Sequence, residues 1–158
     1  MDYHLHQEQV LPIDLDHAWS FFSDPRNLDA LTPPELAFRI TSRVPDVIHG
    51  GEIITYRIRL MPLLWCRWVT EIKHVIDRQQ FVDEQRFGPY RFWYHRHRFQ
   101  AVDGGVRCTD DVHYRLIGGI LARPVHALYV RRQLEHIFAY RRRKLDELFP
   151  ASDDAIAA

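Results

Sequence analysis

Apolar and polar residues alternate with a period of two through the middle of this chain and with a helical period at its flanks. The run QFVDEQRF-GPY-RFWYHRHRFQAV-DG-GVRCTDDVHYRL, from Gln80 to Leu116, reads as three strands, because Gly88-Pro89 and Asp103-Gly104 supply turns between alternating segments. In its middle strand Trp93, His95, His97 and Phe99 share one face, and Phe92, Tyr94, Arg96 and Arg98 share the other. Four more strands are predicted at about 2–12, 36–43, 52–60 and 65–76. Leu15, Ala18, Trp19 and Phe22 recur at helical spacing, with Asp14 as N-cap and Asp24-Pro25 as the stop. A second short helix is predicted from about Pro25 to Leu31. A long C-terminal helix, about Leu121 to Phe149, carries Ala127, Val130, Leu134, Ile137, Phe138, Leu145 and Leu148 on one stripe.

The order is therefore strand, two short helices, six strands, long helix. A curved antiparallel sheet must cover its apolar concave face, and the long helix is the element large enough to do so. The fold class predicted is α+β, a seven-stranded antiparallel sheet wrapped round the C-terminal helix, with a cavity expected between them. With 158 residues, the chain is expected to form a single ligand-binding domain over 1–150. Residues 151–158 are expected to form a disordered tail, since they are small, polar and aperiodic.

The turns set which side chains face inward. A two-residue Asp103-Gly104 hairpin places Phe99 opposite Cys108, His97 opposite Asp110 and Trp93 opposite Tyr114. A three-residue Gly88–Tyr90 connection sets Gln85 opposite Trp93, Asp83 opposite His95 and Phe81 opposite His97. A four-residue loop at 77–80 pairs His74 with Asp83. Facing side chains lie about 4.5–5.5 Å apart at Cβ. The inner cluster expected is His74, Asp83, His95, His97 and Asp110, ringed by Tyr56, Trp68, Trp93, Phe99 and Tyr114, with Arg141 of the helix within reach. His4, His6, His113, His126 and His136 are expected off this face.

The element order resembles the SRPBCC (START/Bet v-type, helix-grip) superfamily. The residues that carry the resemblance are QVLPIDLDHAWSFFSDPRNLDALTPPEL at the start, FVDEQRFGPYRFWYHRH in the middle and IFAYRRRKLDELF at the end. More narrowly it is similar to small bacterial ligand-binding, polyketide-cyclase-like proteins. The resemblance implies a cavity for a small aromatic, polyketide- or lipid-like molecule and no cofactor. It leaves the activity open, because the superfamily hosts carriers, cyclases, hydrolases and regulators.

Buried polar groups cost free energy unless partnered, so the inner cluster has three readings. It can be a self-satisfied polar network. It can orient a ligand, with Tyr56, Trp68, Trp93 and Tyr114 as walls and His74, Asp83, Gln85, His95, His97, Asp110 and Arg141 on its polar end. Or it can catalyse a cyclase- or dehydratase-like step, with Asp83 and His95 as an acid–base pair. His95-x-His97 with a carboxylate also matches a metal triad, but the family resembled does not generally use one, and no metal is assigned. The way into the cavity is expected near Gly50-Gly51, Met61–Leu64 and the start of the long helix.

Composition narrows the picture further. Lys and Arg number 21, as do Asp and Glu, so the net charge is zero and favours no polyanionic partner. Nucleic acid is not expected, and a homo-oligomer is left open. Two cysteines, Cys66 and Cys108, make no disulfide framework. No segment resembles a signal peptide or a membrane span, so a cytoplasmic protein is expected. The outer sheet face gathers arginines with interleaved aromatics, which raises the alternative of an interaction module acting through that convex face.

Overall fold

The computed structural model describes residues 1–151. Seven strands form one antiparallel sheet: β1 (Tyr3–Leu11), β2 (Arg39–Ile40), β3 (Ile53–Met61), β4 (Leu64–Ile76), β5 (Gln80–Phe87), β6 (Tyr90–Val102) and β7 (Gly105–Leu116). Their order is β1-β7-β6-β5-β4-β3-β2, so the first strand in sequence pairs with the last. The β6–β7 turn makes this possible. Gly105, at φ +145°, lets the chain pass so close to β1 that a Cβ there would stand 1.9 Å from the Leu11 carbonyl oxygen.

Helix α1 (Leu15–Phe22) begins where Asp14 accepts a hydrogen bond from the His17 amide at 2.8 Å. It buries Ala18 and Trp19, and Trp19 meets Phe81 and Phe99 edge-on. The second predicted helix is a single 3-10 turn, Pro25–Leu28, capped by Asp24. Another 3-10 turn, Pro34–Leu36, follows, and Ala37 takes a left-handed conformation at φ 44°. That kink consumes most of the strand predicted at 36–43, leaving the two residues of β2.

Past β7, Gly118 at φ +97° turns the chain into a 3-10 segment, Gly119–Ala122. Helix α2 (Arg123–Val125), a π-helical turn (His126–Val130) and helix α3 (Arg131–Leu148) continue from it. Leu134, Phe138, Arg141 and Leu145 of α3 are buried against the concave face. The π-turn corrects the predicted stripe. A π-turn inserts one residue into the helical period, so upstream of it the inward position passes from Ala127 to His126, which is buried while Ala127 is exposed. Leu148, at the other end of the predicted stripe, is 41% exposed.

The architecture is the predicted α+β helix-grip arrangement. No helix among the described residues is long and apolar enough to cross a membrane. The tail expected from residue 151 lies, beyond Ala151, outside the described residues.

Candidate functional site: a cavity floored by an acid–imidazole ring

Between the sheet and α3 lies a cavity of about 200 Å³. Its walls are apolar, built from Leu31 and Phe38, Tyr56 and Ile58 of β3, Trp68 of β4, and Leu134 and Phe138 of α3. Tyr56 lies across Trp68 at 5.9 Å, and Trp68 meets Trp93 edge-on at 5.3 Å. Asp83, His95, His97 and Arg141 supply the ionisable groups at one part of this lining, and Asn27, Thr32, Thr70 and Gln133 add polar positions elsewhere.

The strand registers explain the convergence. β5 pairs Asp83 with His95 and Phe81 with His97; β7 pairs Asp110 with His97, Cys108 with Phe99 and Tyr114 with Trp93. The four ionisable groups close a ring. His95 places Nδ1 3.3 Å from Asp83 and Nε2 2.9 Å from Asp110. His97 places Nε2 3.1 Å from Asp83 and Nδ1 2.8 Å from Asp110. The two imidazole rings are 3.8 Å apart between centroids. Trp93 Nε1 donates to the other oxygen of Asp83 at 3.2 Å, and the Arg141 guanidinium stands 3.6 Å from Asp110.

Charge follows from this geometry. Burial opposes a proton on His95, but the Asp83 charge and the hydrogen bonds to both carboxylates outweigh it and lift its pKa to about 9. Burial likewise opposes ionisation of Asp83 and Asp110. The imidazoles overcome it at Asp83, and Arg141 with both imidazoles overcomes it at Asp110, so both carboxyls are held below the usual carboxylate range. Both ring nitrogens of His95 face carboxylate oxygens, an arrangement satisfied when both carry hydrogen. His95 is thus an imidazolium at neutral pH. Burial and the nearby Asp83 charge push the Tyr56 hydroxyl well above its ordinary pKa, so it stays protonated.

Asp83, His95 and His97 could also hold a metal ion, since donor atoms from the three lie within 4.8 Å of one another. The fit is poor. Each imidazole nitrogen already faces a carboxylate oxygen, His95 holds its proton, and Arg141 adds positive charge beside the set; metal ligation needs neutral imidazoles.

Among the described residues four buried side-chain polar atoms lack a partner, Ser23 Oγ, Arg96 Nε, Trp68 Nε1 and Arg141 Nε, and the last two belong to residues that line the cavity. Such groups are rare in folded proteins and usually mark a missing partner.

Not every predicted residue faces the cavity. His74 is exposed, because β4 bulges between Lys73 and Ile76 and His74 adopts φ 50°; Ile72, not His74, sits opposite Asp83. Gln85 closes the β5–β6 hairpin instead, donating to the Tyr90 carbonyl at 2.7 Å and accepting from the Tyr90 amide at 3.2 Å. Its side chain fills the space beside Gly88, where a Cβ would clash at 2.4 Å. Asp110 lies behind the imidazoles, bordering a second void of about 10 Å³ near Gln7 and Leu145. Tyr114 is buried beyond the cavity, 2.8 Å from Nε2 of His126, whose ring stacks on Tyr3 at 3.5 Å. Among the expected mouth segments, Gly50-Gly51 and Met61–Leu64 do not line the cavity, although Ile48 and Leu60 beside them do.

Sequence reasoning missed Thr70 and His126. Thr70 is buried and lines the cavity, and the inward parity that selected Trp68 also selects it. Nothing in the residue pattern marks the π-turn that brings His126 inward.

On the convex face the arginines are largely spent on neighbouring carboxylates. Arg96 and Arg98 grip Asp111 at 3.3 and 2.9 Å, Arg86 reaches Glu71 at 3.3 Å and Arg107 reaches Glu8 at 3.2 Å. His6 also meets Asp111 at 2.8 Å. Burial resists the Asp111 charge, but these partners hold its pKa down to about 2.

Solved structures with this architecture place the fold. A START superfamily protein from Mycobacterium smegmatis is 13% identical over 92% of this chain and 98% of its own, with a TM-score of 0.65. A protein of Chromobacterium violaceum is 10% identical over 95% and 99%, with a TM-score of 0.70. Ara h 8.0201 is 13% identical over 92% and 98%, with a TM-score of 0.60. The chain has the START/Bet v-type helix-grip fold. No family model and no curated protein matches it by sequence.

Proposed function

We propose that the protein binds a compact small molecule, aromatic or polyketide-like, in the cavity between sheet and α3. The observation that carries this reading is the pair of buried donors without an acceptor among the described residues, Trp68 Nε1 and Arg141 Nε, on side chains that line a largely apolar cavity. A ligand bearing carbonyl, carboxylate or hydroxyl oxygens supplies the acceptors they lack. The neighbouring ring of Asp83, His95, His97 and Asp110 holds the floor, and Asp110 stands 3.6 Å from the Arg141 guanidinium. A cavity of about 200 Å³ is smaller than the roughly 300–1,000 Å³ of drug-sized sites, which favours one or two fused rings or a short chain over a complete lipid.

The geometry supports binding over turnover. A general base must be able to take a proton, and His95 already carries one at neutral pH with both nitrogens committed. The self-neutralised convex face likewise gives little support to an interaction module there.

Mass spectrometry of compounds released from natively purified protein identifies the ligand, and quenching of Trp68 and Trp93 fluorescence by that compound measures its affinity. Trp68→Phe keeps an aromatic ring in the wall and removes the N–H with the rest of the indole; it is expected to weaken binding about tenfold. Retained affinity in that variant, or protein that releases no compound and binds no 8-anilinonaphthalene-1-sulfonate, overturns the proposal.

A further inference from the structure

At the end of the sheet where β3 turns into β4 and β7 runs into the helix, aliphatic side chains stand in water. Leu63 is 97% exposed, Leu121 83%, Ile120 69% and Leu128 68%. Single exposed apolar residues are ordinary, but a contiguous group marks a contact surface. These residues are grouped. The Tyr129 hydroxyl and the Gln133 amide both donate to the Leu60 carbonyl. Those bonds clamp the β3–β4 hairpin beside the π-turn, so Met61–Trp65 and Val125–Tyr129 share one end. The antiparallel order brings the β5–β6 turn and the exit of β7 to the same edge of the sheet.

Charge at this end leans basic, although the chain as a whole balances 21 basic against 21 acidic residues. Residues 53–70 hold three arginines (57, 59, 67), residues 85–93 two (86, 91) and residues 112–134 four (115, 123, 131, 132), with no aspartate or glutamate in any of the three segments. Some of these arginines are paired with carboxylates from elsewhere, as Arg115 is with Asp2 and Arg131 with Glu135. Arg86 is likewise paired with Glu71, and Arg59 donates to the Glu35 carbonyl at 2.9 Å; Arg57 lies over the half-exposed Trp65 ring at 5.2 Å and has no carboxylate partner among the described residues.

The combination selects the partner. A second copy meeting this face symmetrically would bring the same arginines together, and like charges across an interface are unfavourable. Nucleic acid would satisfy the arginines but offers no apolar medium to four aliphatic side chains. An anionic bilayer offers both, because its phosphates attract arginine and its acyl boundary accepts leucine and isoleucine. We propose that this end of the molecule docks on an anionic lipid surface, with Leu63, Ile120, Leu121 and Leu128 entering the headgroup–acyl boundary and the flanking arginines held by lipid phosphate. The contact is peripheral and does not depend on what occupies the cavity.

The test is co-sedimentation of the purified protein with vesicles of phosphatidylcholine alone and of phosphatidylcholine mixed with phosphatidylglycerol. Binding is expected on the mixed vesicles, weak on the neutral ones, and reduced at about 0.5 M salt as screening shortens the range of the charges. The double substitution Leu63→Glu with Leu121→Glu is expected to lower partitioning at least tenfold, as is Arg123→Glu with Arg132→Glu. All four positions are exposed, so both variants are expected to keep the wild-type thermal midpoint and cavity affinity. Wild-type protein that ignores anionic vesicles, or leucine variants that bind them undiminished, overturns the proposal. So does a dimer in sedimentation velocity that Leu63→Glu dissolves, since that assigns the patch to a second copy.

Discussion

His95 and Asp110 face each other at 2.9 Å between β6 and β7, while the opposite nitrogen of the same imidazole meets Asp83 on β5 at 3.3 Å. One ring thus cross-links three strands by charge. Because its folded pKa of about 9 exceeds its ordinary 6.5, His95 binds its proton more tightly folded than unfolded. The stabilisation is fully present below pH 6.5 and is lost as pH rises through about 9. Thermal melts of the wild type should therefore fall steadily between pH 6.5 and 9, by an amount on the order of 3 kcal/mol. His95→Gln should remove most of that slope; an unchanged slope in the variant would place the titration elsewhere.

Asp110 anchors the other side of the ring. Removing one member of a buried charge set leaves the rest uncompensated, which costs about 3–5 kcal/mol. Asp110→Asn should destabilise by that order, since it strips a carboxylate from His95, His97 and Arg141 together. Combining it with Arg141→Met should cost much less than the sum of the two single changes. A double-mutant cycle by urea denaturation measures the difference, and additivity would mean that Arg141 does not share the network.

Much of this ring was legible in the sequence, and the reason is local. The Asp103-Gly104 turn fixes the β6–β7 register, so the sequence alone puts Trp93, His95, His97, Phe99, Cys108 and Asp110 on one face. Where the backbone departs from ideal strand or helix, the parity argument fails. The bulge in β4 turns His74 outward, and the π-turn exchanges Ala127 for His126. Each is a one-residue insertion whose energetic origin lies in tertiary packing, and neither leaves a glycine or proline at the point of slip. Gln85 was assigned inward by parity, yet its amide matches the hairpin backbone better than it matches the cavity.

The two glycines of the β6–β7 turn should differ sharply on substitution. Gly104→Ala meets open space and suffers only the positive φ of +81°, a cost of about 1–2 kcal/mol. Gly105→Ala drives a methyl to 1.9 Å from the Leu11 carbonyl oxygen, so β1 must separate from β7 to admit it. Equal melting temperatures for the two variants would contradict this account of how the sheet edge closes.

Tyr114 and His126 hold the π-turn to β7. Burial and the Arg131 charge lower the His126 pKa, and burial raises that of Tyr114 to about 12, so at neutral pH a protonated phenol and a neutral imidazole share one hydrogen bond. Tyr114→Phe leaves Nε2 of the buried imidazole unpaired and should cost about 1–3 kcal/mol. Because His126 is stabilised in its neutral form, its contribution is present above pH 6.5 and is lost as pH falls through its depressed folded pKa. His126→Asn should flatten the acid side of the stability profile and leave the decline toward pH 9 intact, which separates it from His95→Gln. Melts of the two variants across pH 4–10 check this, and a loss of the alkaline decline in His126→Asn would contradict it.

Residues assigned to the cavity and residues assigned to its frame should separate in a binding assay. Gln85 bonds only the Tyr90 backbone and His74 is exposed, so Gln85→Ala should cost stability, about 1–2 kcal/mol for two hydrogen bonds, and leave ligand affinity unchanged. His74→Gln should change neither. Trp68→Phe should weaken affinity, and its stability loss should be only that of the smaller buried ring, because its indole N–H has no partner among the described residues to lose. Titrating the three variants with the released compound by tryptophan quenching, beside their melting curves, reads both properties at once. If Gln85→Ala weakened binding as much as Trp68→Phe, the hairpin amide would belong to the site and not to its frame, and the floor of the cavity would extend to the β5–β6 turn.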